Sequence, residues 1–279
     1  MNALFTLVML FAYARVAPVA AVDRPATAPA TQPQQQIFLL HLPGIGGLMR
    51  IDKLLTGGLK TGGLATADVV VYDWTSGNPG LAALGAFQRN KQEARKIAHM
   101  IEQRARDHPE TRIVITGHSG GSGLAVWALE SLPDDVQIDT LVMLAPALSP
   151  TYDLSRALRH VKGRAYAFNS EYDPVLGPGT RAFGTIDRIM TNAAGRVGFE
   201  KPAGADDEQY AKLVQIPYDR GFMILGNIGD HIGPMMPRFA ARVIAPLILT
   251  GELPRPATQP STAPTTAAFP SPSTFPSAR

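Results

Sequence analysis

At 279 residues, 45% hydrophobic and 18% charged, the chain holds enough apolar material for one domain with a large core and too little for two. A net charge of only +3, with no dense Lys/Arg run, excludes nucleic-acid binding built on bulk basicity. Cysteine is absent and the six histidines are scattered, which excludes disulfides, thiolate metal sites, a Cys nucleophile, a lipidated cysteine anchor and a helix-borne zinc pair.

The two ends read as lying outside the fold. Residues 3–14 are an apolar run too short to span a bilayer, followed by Arg15, Pro18 and the small residues Val19, Ala20 and Ala21. That order predicts a signal peptide over residues 1–21, hence export to a periplasm or the cell exterior without stable membrane insertion. No Lys or Arg precedes the run, so an uncleaved N-terminal anchor is the alternative. Residues 22–36 form a Pro/Ala/Gln-rich linker. Residues 251–279, with seven prolines after Glu252, form a Pro/Ser/Thr-rich tail expected to be disordered. A tethering role for that tail is the rival to a merely solvated one. The folded domain is then residues 37–250.

Inside it, strand and helix patterns alternate. Ile37 to Leu40 is a short apolar strand that leads into Pro43-Gly44-Ile45-Gly46-Gly47, and Ile51 to Leu59 is helical. Val69 to Tyr72 is the next strand. Leu84 to Asp107 carries Phe87, Ala94, Ile97, Ala98 and Ile101 at helical spacing and stops at Pro109. Ile113 to Ile115 is a strand, Ser122 to Leu132 a helix, and Leu141 to Leu144 a strand. Leu154 to Val161 is helical and Ala165 to Phe168 a strand. The last strand is either Leu213 to Tyr218 or Phe222 to Leu225. Phe239 to Leu249 closes the domain as a helix flawed by Pro246. Continuous apolar strands separated by helices predict an α/β fold, a mostly parallel sheet with helices on both faces and its chemistry at the strands' carboxyl ends.

Gly117-His118-Ser119-Gly120-Gly121 is a G-x-S-x-G that follows a strand directly and opens a helix, the setting the motif requires. The tight turn lifts the serine hydroxyl clear of the sheet and aims the Gly120 N–H at a developing oxyanion. The plain alternative is a glycine-rich turn with an incidental serine. A serine nucleophile needs a base, and the base needs an orienting carboxylate. His160 falls in an amphipathic helix beside Arg159 and Lys162, where a solvated side chain is expected. His231, in Gly229-Asp230-His231-Ile232-Gly233, is therefore the candidate base. Asp173 is the candidate acid, at the end of the Ala165–Phe168 strand. Glu171 and Asp153 stay open as alternatives, and Asp230 reads as a turn former. Ile45, in the first glycine loop, is the candidate second oxyanion donor. That loop also begins a dinucleotide fingerprint, but Met49 stands where its third glycine belongs, and Lys60-Thr61 mimics a P-loop without the glycine before its lysine.

Taken in order, the glycine loop, Gly117–Gly121, Asp173 with its following proline, and His231 resemble the α/β-hydrolase superfamily over most of residues 37–250. The resemblance implies a reduced α/β-hydrolase fold, with an eight-stranded sheet shortened at its front, a Ser-His-Asp triad, no cofactor and no metal. Two features depart from the family pattern. Pro43-Gly44 replaces the usual His-Gly of the oxyanion loop, and no lid insertion follows Leu144, while 57 residues separate Asp173 from His231. The segment Leu176 to Pro217 is expected to take the lid's place and wall the pocket, unless it packs on the sheet flank. Leu48, Trp74, Phe183 and Met190 are the candidate substrate contacts. The expected activity is cleavage of a small-molecule or lipid ester through an acyl-enzyme. Acyl transfer by the same triad, or binding without catalysis on the same fold, are its rivals.

Overall fold

The structure, a computed structural model, describes residues 36–253. The expected signal peptide, nearly all of the expected linker and the chain beyond residue 253 lie outside the described residues.

Six runs pair into one all-parallel sheet: β1 (Ile37–Leu42), β2 (Asp68–Val71), β3 (Arg112–His118), β4 (Ile138–Leu144), β5 (Val161–Asn169) and β6 (Leu213–Pro217). Their order is β2-β1-β3-β4-β5-β6, six strands where the resemblance implied a shortened eight. Strand periodicity of two sends alternate residues to opposite faces. Phe38, Leu40, Ile113, Ile115, Leu141 and Met143 join one core, with α2 (Leu81–Gly85), α3 (Phe87–Asp107), α4 (Gly120–Leu129) and α5 (Ser155–Arg159). Leu39, Val114, Val142, Leu144 and Phe168 join the other, under α1 (Arg50–Leu59) and the C-terminal helices. Both faces are covered, which is why these strands are apolar throughout.

Several elements differ from expectation, each for a local reason. The helix expected from Leu84 is two. Asn90 Nδ2 donates to the Ala83 carbonyl (2.8 Å), and the backbone leaves the helical region at Ala86. β5 begins four residues early, at Val161, because the exposed Lys162, Gly163 and Arg164 hide its start. That shortens α5 and removes His160 from it. His160 is buried, not solvated, and its Nδ1–H donates to the Val136 carbonyl (2.8 Å). Of the two choices for the last strand, Leu213–Pro217 pairs with β5, and Arg220–Leu225 is a 3₁₀ helix. The closing helix passes from α9 (Pro237–Phe239) through a π turn at Ala240–Ile244 into α10 (Ala245–Thr250), which places Pro246 in the first turn of α10, where its missing N–H is tolerated.

Between β5 and β6 lie α6 (Thr180–Phe183), α7 (Ala194–Val197) and α8 (Asp207–Tyr210), none longer than a turn or so. Much of this segment is fastened by backbone bonds to the loop after β4. The N–H groups of Ile186, Ala194, Gly195 and Glu200 donate to Ala147, Leu148, Pro146 and Pro150.

One buried polar cluster ties the first loop to the sheet. His41 Nδ1 accepts from the Thr116 hydroxyl (2.9 Å) and its Nε2–H donates to Asp52 Oδ1 (2.9 Å), while Asp52 Oδ2 accepts the Met49 N–H (2.7 Å). His41 and Asp52 are both buried, so removing one partner strands the other. Asp52→Ala is expected to cost about 3 kcal/mol, a fall in Tm of about 6–12 °C in thermal denaturation. An unchanged Tm would show that the cluster contributes no net stability.

Candidate active site

The chain reverses between β3 and α4 at Ser119, whose backbone stands at φ 52, ψ −121. A non-glycine residue there is strained by about 1–3 kcal/mol and persists only where its surroundings hold it. They do so through three bonds. The Ser119 N–H donates to Leu144 O (2.9 Å), and its carbonyl accepts from Ser122 N (3.1 Å) and Ala147 N (3.1 Å). The motif's two glycines are required by close approach. A Cβ on Gly117 would stand 2.6 Å from Ser122 Cα, and one on Gly121 would collide with the carbonyl oxygens of Leu42 and Pro43. Ser119 is 5% exposed, at the N-terminus of the wholly buried α4.

The loop from Pro43 to Gly47 lies against this turn. Three successive carbonyls are tied back: Pro43 O by Trp74 Nε1 (2.7 Å), Gly44 O by Gly47 N (3.0 Å) and Ile45 O by Gly80 N (2.6 Å). The N–H groups of Ile45 and Gly120 have no acceptor among the described residues. The Ile45 side chain packs over Gly120. Trp74 is fully buried behind the loop, so it supports the loop from below.

Asp173 and His231 meet. The His231 Nδ1–H donates to Asp173 Oδ2 (2.7 Å), which leaves Nε2 as the free ring nitrogen. Asp173 is buried. Its Oδ1 accepts the N–H groups of Val175 (2.8 Å) and Leu176 (2.9 Å), and its main-chain carbonyl accepts from the Arg196 guanidinium. Glu171 is exposed at the surface. Asp153 accepts from the N–H and hydroxyl of Ser155 at the start of α5. Asp230 accepts the Gly233 N–H through its main-chain carbonyl, as a turn former does. No hydrogen bond joins Ser119 Oγ to His231 among the described residues; catalytic hydrogen bonds are often long without substrate and tighten with it.

Sequence reasoning passed over His118, the residue inside the motif. Its Nε2–H donates to the His231 carbonyl (3.0 Å), and the two rings lie 4.8 Å apart. Its Nδ1 is buried without a partner, facing Gly44 of the first loop. One ring thus touches the serine turn, the histidine loop and the glycine loop. Burial, reinforced by the neighbouring His231 ring, pushes its pKa down to about 3. The available signal was its place beside Ser119, but a motif position written as "any residue" carries no chemistry by itself. The other end of the histidine loop is held by Ser170, whose hydroxyl donates to Gly229 O (2.6 Å).

Of the remaining candidates, Leu48 is half-exposed, and Phe183 and Met190 are 61% and 73% exposed and border one cleft. No three His, Asp or Glu side chains among the described residues are grouped to hold a metal ion, and no helix among them is long and apolar enough to cross a membrane.

No protein-family model matches the sequence, and no curated protein matches it. Solved structures are similar to it at low identity. Lipase B of Aspergillus fumigatus is 14% identical over 76% of this chain, with a TM-score of 0.48, and this chain spans about half (52%) of that protein. A predicted CIB-like hydrolase of Thermoplasma acidophilum is 13% identical over 78% of this chain and 88% of its own, with a TM-score of 0.41. A Trichoderma reesei cutinase is 14% identical over 77% and 75%, with a TM-score of 0.37.

The neutrality of His118 has a measurable consequence. The unfolded chain takes up a proton there below about pH 6.5, the folded chain only near pH 3, so this residue makes stability fall as pH drops through that window. Between pH 6.5 and 4.5 the loss amounts to about 2–3 kcal/mol. Urea unfolding at the two pH values is expected to show this loss in the native protein and to show it reduced by about that amount in His118→Gln. Equal pH dependence in the two proteins would mean that His118 protonates freely in the fold.

Proposed function

We propose that this chain, whose architecture is the α/β-hydrolase fold, is a serine hydrolase that cleaves a carboxylic ester or related acyl bond. The observation that carries the proposal is the Asp173–His231 hydrogen bond at 2.7 Å, on loops whose histidine end is held by the residue next to a strained serine. In this reading Ser119 Oγ attacks the carbonyl carbon and His231 Nε2 takes its proton. The tetrahedral oxygen settles against the unpartnered N–H groups of Gly120 and Ile45, each worth about 3–4 kcal/mol in the transition state. The N-terminal dipole of α4 adds to that field. His231 then returns the proton to the leaving alcohol. Water, activated by the same nitrogen, releases the acyl group. Asp173 fixes the imidazole tautomer and steadies the imidazolium, and no step uses a cofactor. The substrate is a small-molecule or lipid ester. Residues 1–21 are proposed to direct export, with the folded hydrolase spanning residues 37–250 between a linker and a solvated tail.

Three measurements test this. A fluorophosphonate is expected to label Ser119 and nothing else. Ser119→Ala is expected to lower turnover of a 4-nitrophenyl ester by about a thousandfold or more with Tm little changed, because the hydroxyl makes no hydrogen bond among the described residues. Asp173→Asn is expected to cost at least about a hundredfold in kcat, and Asp153→Asn almost nothing. Labelling elsewhere, or full turnover by Ser119→Ala, would remove Ser119 from the mechanism.

A further inference from the structure

A cleft of about 240 Å3 opens between α2 and the turn after α6. Leu81 and Leu84 line it from one side and Phe183 and Met190 from the other. Leu81, Phe183 and Met190 are all exposed, so the fold leaves apolar surface uncovered around one hollow.

Both sides hang from residues that touch the serine turn. Gly80, next to Leu81, donates its N–H to Ile45 O, and Ile45 packs over Gly120. On the other side Ile186 packs against Gly123 and donates its N–H to Ala147 O, while the Ala147 N–H donates to Ser119 O. None of the lining comes from the histidine loop. The leaving alcohol must depart beside His231, so a cleft on the glycine-loop side belongs to the acyl group.

One cation lines this apolar hollow. Arg188 stands at φ 69, in a turn closed by Thr185 N–H to Ile189 O (2.9 Å) and Arg188 N–H to Thr185 O (2.8 Å). Glycine or asparagine would adopt that backbone more readily. Arg188 is exposed, and its guanidinium makes no hydrogen bond or ion pair among the described residues. The neighbouring Asp187 carboxylate is engaged by the Ser149 N–H (2.9 Å) and hydroxyl (2.5 Å). We infer that the cleft receives an apolar acyl chain and that Arg188 pairs with a carboxylate at the far end of that chain. The preferred substrates are then half-esters of dicarboxylic acids. This rests on the serine-hydrolase reading.

The test compares 4-nitrophenyl hexanoate with the mono-4-nitrophenyl ester of adipic acid, two acyl chains of equal carbon count. Arg188→Gln is expected to lower kcat/KM for the adipate ester by about tenfold or more, the scale of one charge-assisted hydrogen bond, and to leave the hexanoate value within about twofold. Arg188→Lys should retain part of the preference, and high salt should weaken it in the native protein. Turnover of both esters in a ratio that Arg188→Gln does not change overturns the assignment and leaves the serine hydrolase standing. Turnover of neither ester, with no phosphonate on Ser119, overturns both.

Discussion

The closest backbone approach around the site occurs where α4 leaves the sheet. Gly121 lies so near the Leu42 and Pro43 carbonyls that no side chain fits, and a Cβ on Gly117 would likewise clash with the Ser122 backbone. The helix therefore starts directly against the ends of β1 and β3, and the three residues between the two glycines must reverse the chain, with Ser119 at their centre. Ser119 takes that strain at φ 52. Its reward is position, because the side chain is held above the strand ends at the helix N-terminus. The glycine loop cannot drift away from it, since Trp74, Gly47 and Gly80 hold three of its carbonyls in succession. Every other part of the site is arranged around this fixed turn.

The histidine loop is long and lies far from Ser119 in sequence, so something must bring it to the turn. A charged residue would be a poor choice. In the proposed mechanism a cation beside His231 would oppose the imidazolium formed on taking up the serine proton. His118 solves the problem as a neutral ring, kept so by burial, with one N–H aimed at the His231 main chain. Ser170 holds the loop two residues earlier, at Gly229. The carboxylate is fixed by backbone N–H groups on one oxygen and the imidazole on the other, while the Arg196 guanidinium binds only the peptide carbonyl behind it. The Asp173 charge is thus shared with fixed dipoles and the imidazole.

The parts of the molecule that were legible in the sequence are those where one physical demand dominates. Burial on both faces makes β1, β3 and β4 apolar without interruption, and the elbow's close approaches make its glycines obligatory. Asp173 and His231 were expected from the order in which a serine nucleophile would need its acid and base, and the structure pairs their side chains at 2.7 Å. Elsewhere competing demands hid the signal. The polar, edge-exposed start of β5 looked like helix end, which misplaced His160 on a solvated face when it closes a buried bond to Val136. Trp74 was a candidate substrate contact, but it is completely buried and its indole N–H donates to the Pro43 carbonyl of the glycine loop. His118 carried no pattern at all, since its role depends on a main-chain carbonyl 113 residues away.

The segment between β5 and β6 shows how a long connection can be held in place without long helices of its own. Its helical pieces are short, a π turn at Val175–Gly179 that runs into α6 and the four-residue α7 and α8, too short to bury a long stripe on their own. It is instead laced to Ala147–Pro150 by main-chain hydrogen bonds and to Ser149 by the Asp187 carboxylate, with Leu176, Ile186, Ala193 and Phe199 buried between. Such lacing fixes where the backbone runs but leaves the side chains of the intervening turn nothing to pack on. Burying a Phe or Met side chain is worth about 1.5–3 kcal/mol, so a turn that leaves Phe183 and Met190 mostly in water forgoes that gain in the free protein. The gain stays available to whatever enters the cleft they border. An acyl chain that does so would displace water from apolar surface whose flanking loops are bonded to the serine turn, and binding energy gained there would be available to the transition state.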